Sequence, residues 1–160
     1  MNNIDFTDRQ IEIMEAATLR IDQFGIQELT IKNLSADLNL SEAALYRHFK
    51  SKNDILLGLL TYFIVEMKDR ISQIMSNEDL HPSEILMQIF TSQLNTFVQR
   101  PAIVSVIFAE GIFQFNKELL YKVSEMMALM QANIGLLISK GQDQGLYAQL
   151  LGKDALTTII

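Results

Sequence analysis

Apolar residues recur three and four positions apart along almost the whole chain, the spacing of one helix face. No alternating run bounded by turn residues suggests a half-buried strand, and Pro82 and Pro101 are the only prolines in 160 residues. An all-α fold follows. Polar caps mark where the helices begin. Thr7-Asp8-Arg9-Gln10 reads as a capping box, in which hydroxyl and amide satisfy each other's backbone donors. The helix after it carries Ile13, Met14, Ala17, Ile21 and Phe24 inward and stops at Gly25. Ser51-Lys52-Asn53-Asp54 is a looser box. It opens a long helix with Leu56, Leu59, Phe63, Met67, Ile71 and Ile74 on one face, ending near Asn77. Ser83 opens a helix that continues the pattern with Leu86, Phe90, Leu94 and Phe97. Pro101 suits a first turn, where its missing N–H costs nothing. From about Lys117, Val123, Met127, Met130, Ile134 and Leu137 mark another helix, and Gly141, Gly145 and Gly152 read as a loop before a last start at Asp154.

Between the first two long helices lie two short ones. Thr30 caps one through about Leu38 and Ser41 caps another through about Phe49. Leu38-Asn39-Leu40 leaves little room between them, and asparagine is the best residue after glycine for the left-handed conformation such a turn needs. Two short helices about a tight turn, flanked by long ones, form a helix-turn-helix pattern. Gly58, inside the second long helix, reads as a close packing point against the first helix or as a bend.

The charge distribution narrows the function. The chain carries 13 Lys plus Arg against 19 Asp plus Glu, a net charge of −6, which argues against a generally basic nucleic-acid wrapper. Yet residues 43–53 hold Arg47, His48, Lys50 and Lys52 and no acid, with Lys32 nearby. This window is the one place where a phosphate backbone meets attraction. Ser41, Glu42, Ala43 and Ala44 open the second short helix with small side chains that let its end approach a major groove closely. Tyr46, His48 and Lys52 can donate to phosphate oxygens, and the helix starts after Thr30, Ser41 and Ser51 add backbone donors. Without cysteine, disulfide scaffolds, thiolate zinc sites and cysteine nucleophiles are excluded. There is no G-x-S-x-G, no phosphate-binding glycine loop, no H-E-x-x-H and no histidine pair at ligand spacing, so neither catalysis nor a metal or other cofactor is expected. The start, Met1-Asn2-Asn3-Ile4-Asp5, lacks the basic and apolar run of a signal peptide. The longest apolar stretch, Ile55 to Val65, is too short to span a bilayer.

Residues 7–56 resemble the N-terminal domain of the TetR family of bacterial transcription regulators. The resemblance rests on Ile13-Met14-Glu15-Ala16-Ala17, Gly25, Thr30-Ile31, Leu34 and Leu40-Ser41, and most specifically on Leu45-Tyr46-Arg47-His48-Phe49 followed by Lys52. It implies that Thr30 to Leu38 is a positioning helix and Ser41 to about Arg47 a recognition helix. Thr30, Tyr46, His48 and Lys52 match phosphate-holding positions; Ser41, Glu42, Ala43, Ala44 and Arg47 match base-facing ones. It further implies a DNA-binding domain over residues 1–52 and a helical ligand-binding and dimerisation domain over residues 53–160. The implied protein is a cytoplasmic, nucleoid-associated homodimer on near-palindromic double-stranded DNA, released by an unidentified small-molecule effector. Phe63, Met67, Phe90, Phe97, Phe108, Phe113, Met127 and Met130 are the candidates to line an effector pocket, against the plainer reading that they form an ordinary core. Three residues depart from the family pattern: Asn39 where glycine is common, Arg20 where an apolar residue is common, and Glu42 at the start of the recognition helix. Glu42 either accepts from a cytosine N4 or only complements the helix N-terminus. Two other functions fit the same residues: a nucleoid-associated division-control protein of TetR type, and a helical ligand- or partner-binding module without DNA function. The family dimerises through its last two helices, and this chain stops within an apparent helix at Thr157-Thr158-Ile159-Ile160. The natural protein is therefore expected to continue.

Overall fold

The computed structural model describes residues 6–77, 79–109 and 116–148. Among them are seven α-helices, one 3-10 turn and no strand. They are α1 (Asp8–Phe24), the turn Ile26–Glu28, α2 (Ile31–Asp37), α3 (Glu42–Tyr46), α4 (Lys52–Met75), α5 (Pro82–Gln99), α6 (Pro101–Ile107) and α7 (Lys117–Asp143). The all-α expectation holds. The chain forms two compact units, residues 1–63 with 97–123 and residues 64–96 with 124–160. Gly152, Asp154 and the helix expected there lie outside the described residues, as does Phe113.

In the first unit the capping box at Thr7 and Gln10 is present in both directions. α1 buries Ile13, Met14, Ala17 and Ile21. Phe24, expected inward, is 59% exposed, because the stripe ends at Ile21 and Gly25, with φ 85°, turns the chain away. The Phe24 ring instead lies 5.0 Å beneath the guanidinium of Arg20. Thr30 and Ser41 cap α2 and α3 by accepting from the backbone N–H of Asn33 and Ala44. Asn39 is left-handed, with φ 52°. Around it the Leu40 N–H donates to the Ser35 carbonyl at 2.8 Å and the Asn39 N–H to that of Ala36 at 3.2 Å. These two bonds satisfy the end of α2 in the Schellman pattern.

α3 stops at Tyr46 rather than near Phe49. The N–H groups of His48 and Phe49 both reach the Leu45 carbonyl, at 3.0 and 3.1 Å, and the tightened turn sends Phe49 into the core. There it meets Gly58: a Cβ on Gly58 would lie 3.1 Å from Phe49 Cε1 and 3.0 Å from Met14 Sδ. Close packing, not a bend, explains this glycine. At the start of α4, Ser51 Oγ accepts from the Asp54 N–H, and the Asp54 carboxylate accepts from the Lys50 N–H, one residue before the cap. Phe63 is buried and stacks on Phe97 at 6.1 Å.

The second unit buries Ile64, Met67 and Ile71 of α4, Ile85, Ile89 and Gln93 of α5, and Met126, Ile134, Leu137 and Ile138 of α7. The inner face of α5 is therefore one residue away from the expected one: Leu86 and Phe90 are half-buried and Leu94 is 62% exposed. Gln93 occupies the inner position because its Oε1 accepts from Arg70 Nη2 at 3.1 Å, so that a buried polar group is satisfied. α5 begins at Pro82, and Glu84 rather than Ser83 supports its start by accepting from the His81 N–H. Met127, expected on the inner stripe of α7, is 50% exposed and Met126 takes the buried position. Gly141 is helical, not part of a loop: a Cβ there would fall 2.2 Å from the Tyr147 ring, which folds back over it. The turn that ends the helix is supplied by Gly145, with φ 71°.

Candidate nucleic-acid interface

The residues expected to face DNA come from α2, α3 and the turn into α4. Thr30, Lys32, Ser41, Glu42, Ala43, Tyr46 and Arg47 are exposed, and Ala44, His48 and Lys52 are half-buried. In α3 only Leu45 is buried. It anchors a helix of five residues, which leaves Glu42, Ala43 and Tyr46 of α3 exposed. Lys32, Arg47 and Lys50 form none of the ion pairs found among the described residues. The acid-free window thus presents free cations.

Lys52 is placed differently from its neighbours. Its Nζ donates to the Ile26 carbonyl at 2.7 Å, bracing the 3-10 turn against the start of α4. Partial burial there pushes the ammonium below the usual lysine range. An ammonium has three donors, so the brace leaves two for a phosphate. Glu42 is the first residue of α3 and exposed, a position compatible with either role considered for it.

Three supports of this face were not foreseen from the sequence. Gln10 Nε2 donates to the His48 carbonyl at 3.3 Å, which ties the start of α1 to the end of the recognition segment. Arg20 forms a two-bond pair with Asp37, Nε to Oδ2 at 2.5 Å and Nη2 to Oδ1 at 2.8 Å, which ties the other end of α1 to the end of α2. The third is the Lys52–Ile26 brace. Arg20 was noted only as a departure from the family pattern; its paired geometry with Asp37 gives it a purpose.

The hydrogen bonds from Arg20 hold the Asp37 carboxyl below its usual value of 3.8. A carboxylate whose pKa is depressed on folding stabilises above its unfolded value and loses that contribution as pH falls through the folded one. Asp37→Asn is therefore expected to lower the melting temperature at neutral pH, with the difference from the parent closing below pH 3.8. Paired thermal melts from neutral pH down through the carboxylate range check this; a gap that persists in acid would show that the ion pair is not its source.

The effector candidates are distributed over both units. Phe63 and Met67 are buried, Phe90, Phe97 and Met130 half-buried, and Phe108 and Met127 exposed. Of these, Phe63 lines a cavity of about 400 Å³ within the first unit. Among the described residues no cluster of three His, Asp or Glu is placed to hold a metal, and no helix is long and apolar enough to cross a membrane.

Comparison with known proteins fixes what this head is. The family model for bacterial regulatory proteins of the tetR family matches residues 13–59, the span from α1 through the helix-turn-helix into α4. Residues 13–59 belong to the TetR family. The fold agrees: the chain aligns with a TetR transcription regulator from Haloarcula marismortui at a TM-score of 0.82, with 19% identity, covering 96% of this chain and 80% of that one. It aligns with the fatty acid degradation regulator FadR from Bacillus halodurans at 0.78, with 18% identity, covering 97% and 79%. In sequence, the nucleoid occlusion factors SlmA of Shewanella halifaxensis and Idiomarina loihiensis are 28% and 29% identical over 130 residues. Those matches cover 79% of this chain and 64% of each relative, so the chain spans less than two thirds of these relatives' length. Residues 41–48 are tied to their surroundings through the Ser41 cap, the buried Leu45 and the His48 carbonyl.

Proposed function

We propose that this chain is a sequence-specific DNA-binding transcriptional regulator, a repressor released by a small-molecule effector. The observation that carries the reading is the acid-free window of residues 43–53, which exposes Tyr46, Arg47 and Lys50 on the α3 face of a TetR-family head in a chain that is otherwise acidic. Residues 1–52 serve as the DNA-binding domain and residues 53–160 as the regulatory one. The working unit is a homodimer whose two recognition helices enter successive major grooves, so the operator is a near-palindrome. Effector binding shifts the population toward a spacing of the heads that does not fit DNA. The chain acts by binding and not by catalysis.

A second reading is favoured by the relatives named SlmA: a TetR-type protein that uses chromosomal sites to control division. Chromosome-wide occupancy away from promoters supports that reading, and one site beside the gene supports the first. A module that retains no DNA function would show no specific site at physiological salt.

Selection from random DNA, followed by binding assays across salt concentrations, tests the proposal. Arg47→Ala is expected to flatten preference at one base position, a loss of about 1–3 kcal/mol on the best site. Lys52→Ala is expected to weaken binding on all sequences and to reduce the salt slope by about one. A weakened variant with an unchanged slope would assign Lys52 wholly to bracing Ile26. If both variants bind like the parent, this face is not the interface.

A further inference from the structure

The cavity of about 400 Å³ lies against α1, the helix that steadies the reading head. Its volume falls within the range of small-molecule sites. Ile11 and Leu19 of α1, Leu59 and Phe63 of α4, and Ile103 of α6 give it apolar walls. Leu19 and Glu15, which also line it, are exposed.

The polar groups are few and specific. Glu15 and Arg100 both line the cavity, so a net charge on a ligand would be opposed by one of them as it was favoured by the other. The Thr18 hydroxyl spends its proton on the Met14 carbonyl at 2.9 Å and offers the cavity its lone pairs. The Tyr62 hydroxyl supplies both a donor and an acceptor. A ligand hydroxyl can donate to Thr18 and accept from Tyr62, whereas a carbonyl can only accept.

Position gives such a ligand leverage. Met14 both lines the cavity and packs close to Gly58, so it links the cavity to the contact between α1 and α4. α1 is tied through Gln10 to the His48 carbonyl and through Arg20 to Asp37. A molecule wedged against Met14 and Thr18 pushes on the one helix that holds both α2 and the end of the recognition segment.

We propose that this cavity binds an uncharged, largely apolar molecule carrying one hydroxyl group, and that its occupation displaces α1 and weakens DNA binding. The second half rests on the DNA-binding reading; the first does not.

Calorimetry on the full chain with para-butylphenol, in the absence of DNA, tests the site. Saturable binding is expected, tighter than that of para-butylbenzoate or para-butylbenzylamine. Tyr62→Phe keeps the ring on Phe6 and removes one hydrogen bond, for an expected loss of about three- to tenfold. Thr18→Leu removes the hydroxyl and adds bulk to the lining, and is expected to abolish binding, with melting curves confirming that the variant is folded. Absence of saturable binding, a preference for either charged probe, or binding that both variants leave unchanged overturns the site. With a selected DNA site present, saturating phenol is expected to weaken the complex about tenfold in the parent and not in Thr18→Leu. An unchanged DNA affinity in the parent overturns the coupling. A chain that binds the phenol but no DNA supports the site and overturns the DNA-binding reading.

Discussion

Replacing Leu45 with alanine is expected to melt the recognition segment and abolish specific DNA binding. Leu45 is fully buried and is the only buried residue of α3. Truncating a buried leucine to alanine costs about 2–5 kcal/mol, a large share of the roughly 5–15 kcal/mol that holds a domain folded. A helix of five residues has no capacity to persist on its own, since isolated helices shorter than about 12 residues are marginal in water. Leu45→Met keeps the volume and is expected to cost less than about 1.5 kcal/mol. Urea titrations followed by circular dichroism, with DNA binding measured on the same samples, check both variants. A Leu45→Ala protein as stable as Leu45→Met would mean that α3 is held by its caps and not by its anchor.

Gly58→Leu is expected to have the next largest effect. A Cβ at this position already lies 3.0 Å from Met14 Sδ and 3.1 Å from Phe49 Cε1. The Met14 sulfur is the end of a flexible side chain and can move by a few tenths of an ångström. The Phe49 ring is 6% exposed, with little room to do so. Glycine in a helix interior is about 1 kcal/mol less favourable than alanine. For Gly58→Ala that gain offsets the tight contact, and its midpoint is expected near that of the parent. The remaining carbons of leucine must push α1 or Phe49 aside, an overpacking cost of about 1–3 kcal/mol or more. Denaturation midpoints for the pair separate the two contributions. If Gly58→Leu were as stable as the parent, the packing account of this glycine would be wrong.

What the sequence disclosed is what neighbouring residues decide among themselves. The Thr7–Gln10 box, the caps at Thr30 and Ser41, the left-handed Asn39 and the helical stripe Ile13, Met14, Ala17, Ile21 all depend on residues within a turn or two of each other. Gly58 was legible as a packing point, though only the structure names Met14 and Phe49 as its partners. Readings failed where a distant partner overruled the local pattern. Gln93 turned the inner face of α5 because Arg70 satisfies it. The ties from Gln10 to His48 and from Lys52 to Ile26 join residues 38 and 26 apart, and nothing periodic announces them. Of the described aromatic candidates, only Phe63 lines the cavity, since aromatic residues at helical spacing look the same whether they line a void or fill a core.

The bracing of α3 has a kinetic consequence. Capped by Ser41, anchored by Leu45 and followed by a backbone held at Gln10, the segment is shaped before it meets any partner. Little conformational freedom is left to lose on docking. The chain's acidity meanwhile denies it long-range steering toward a polyanion. Encounter rates with matched and mismatched sites should therefore be similar and modest, and discrimination should appear in how long each complex lasts.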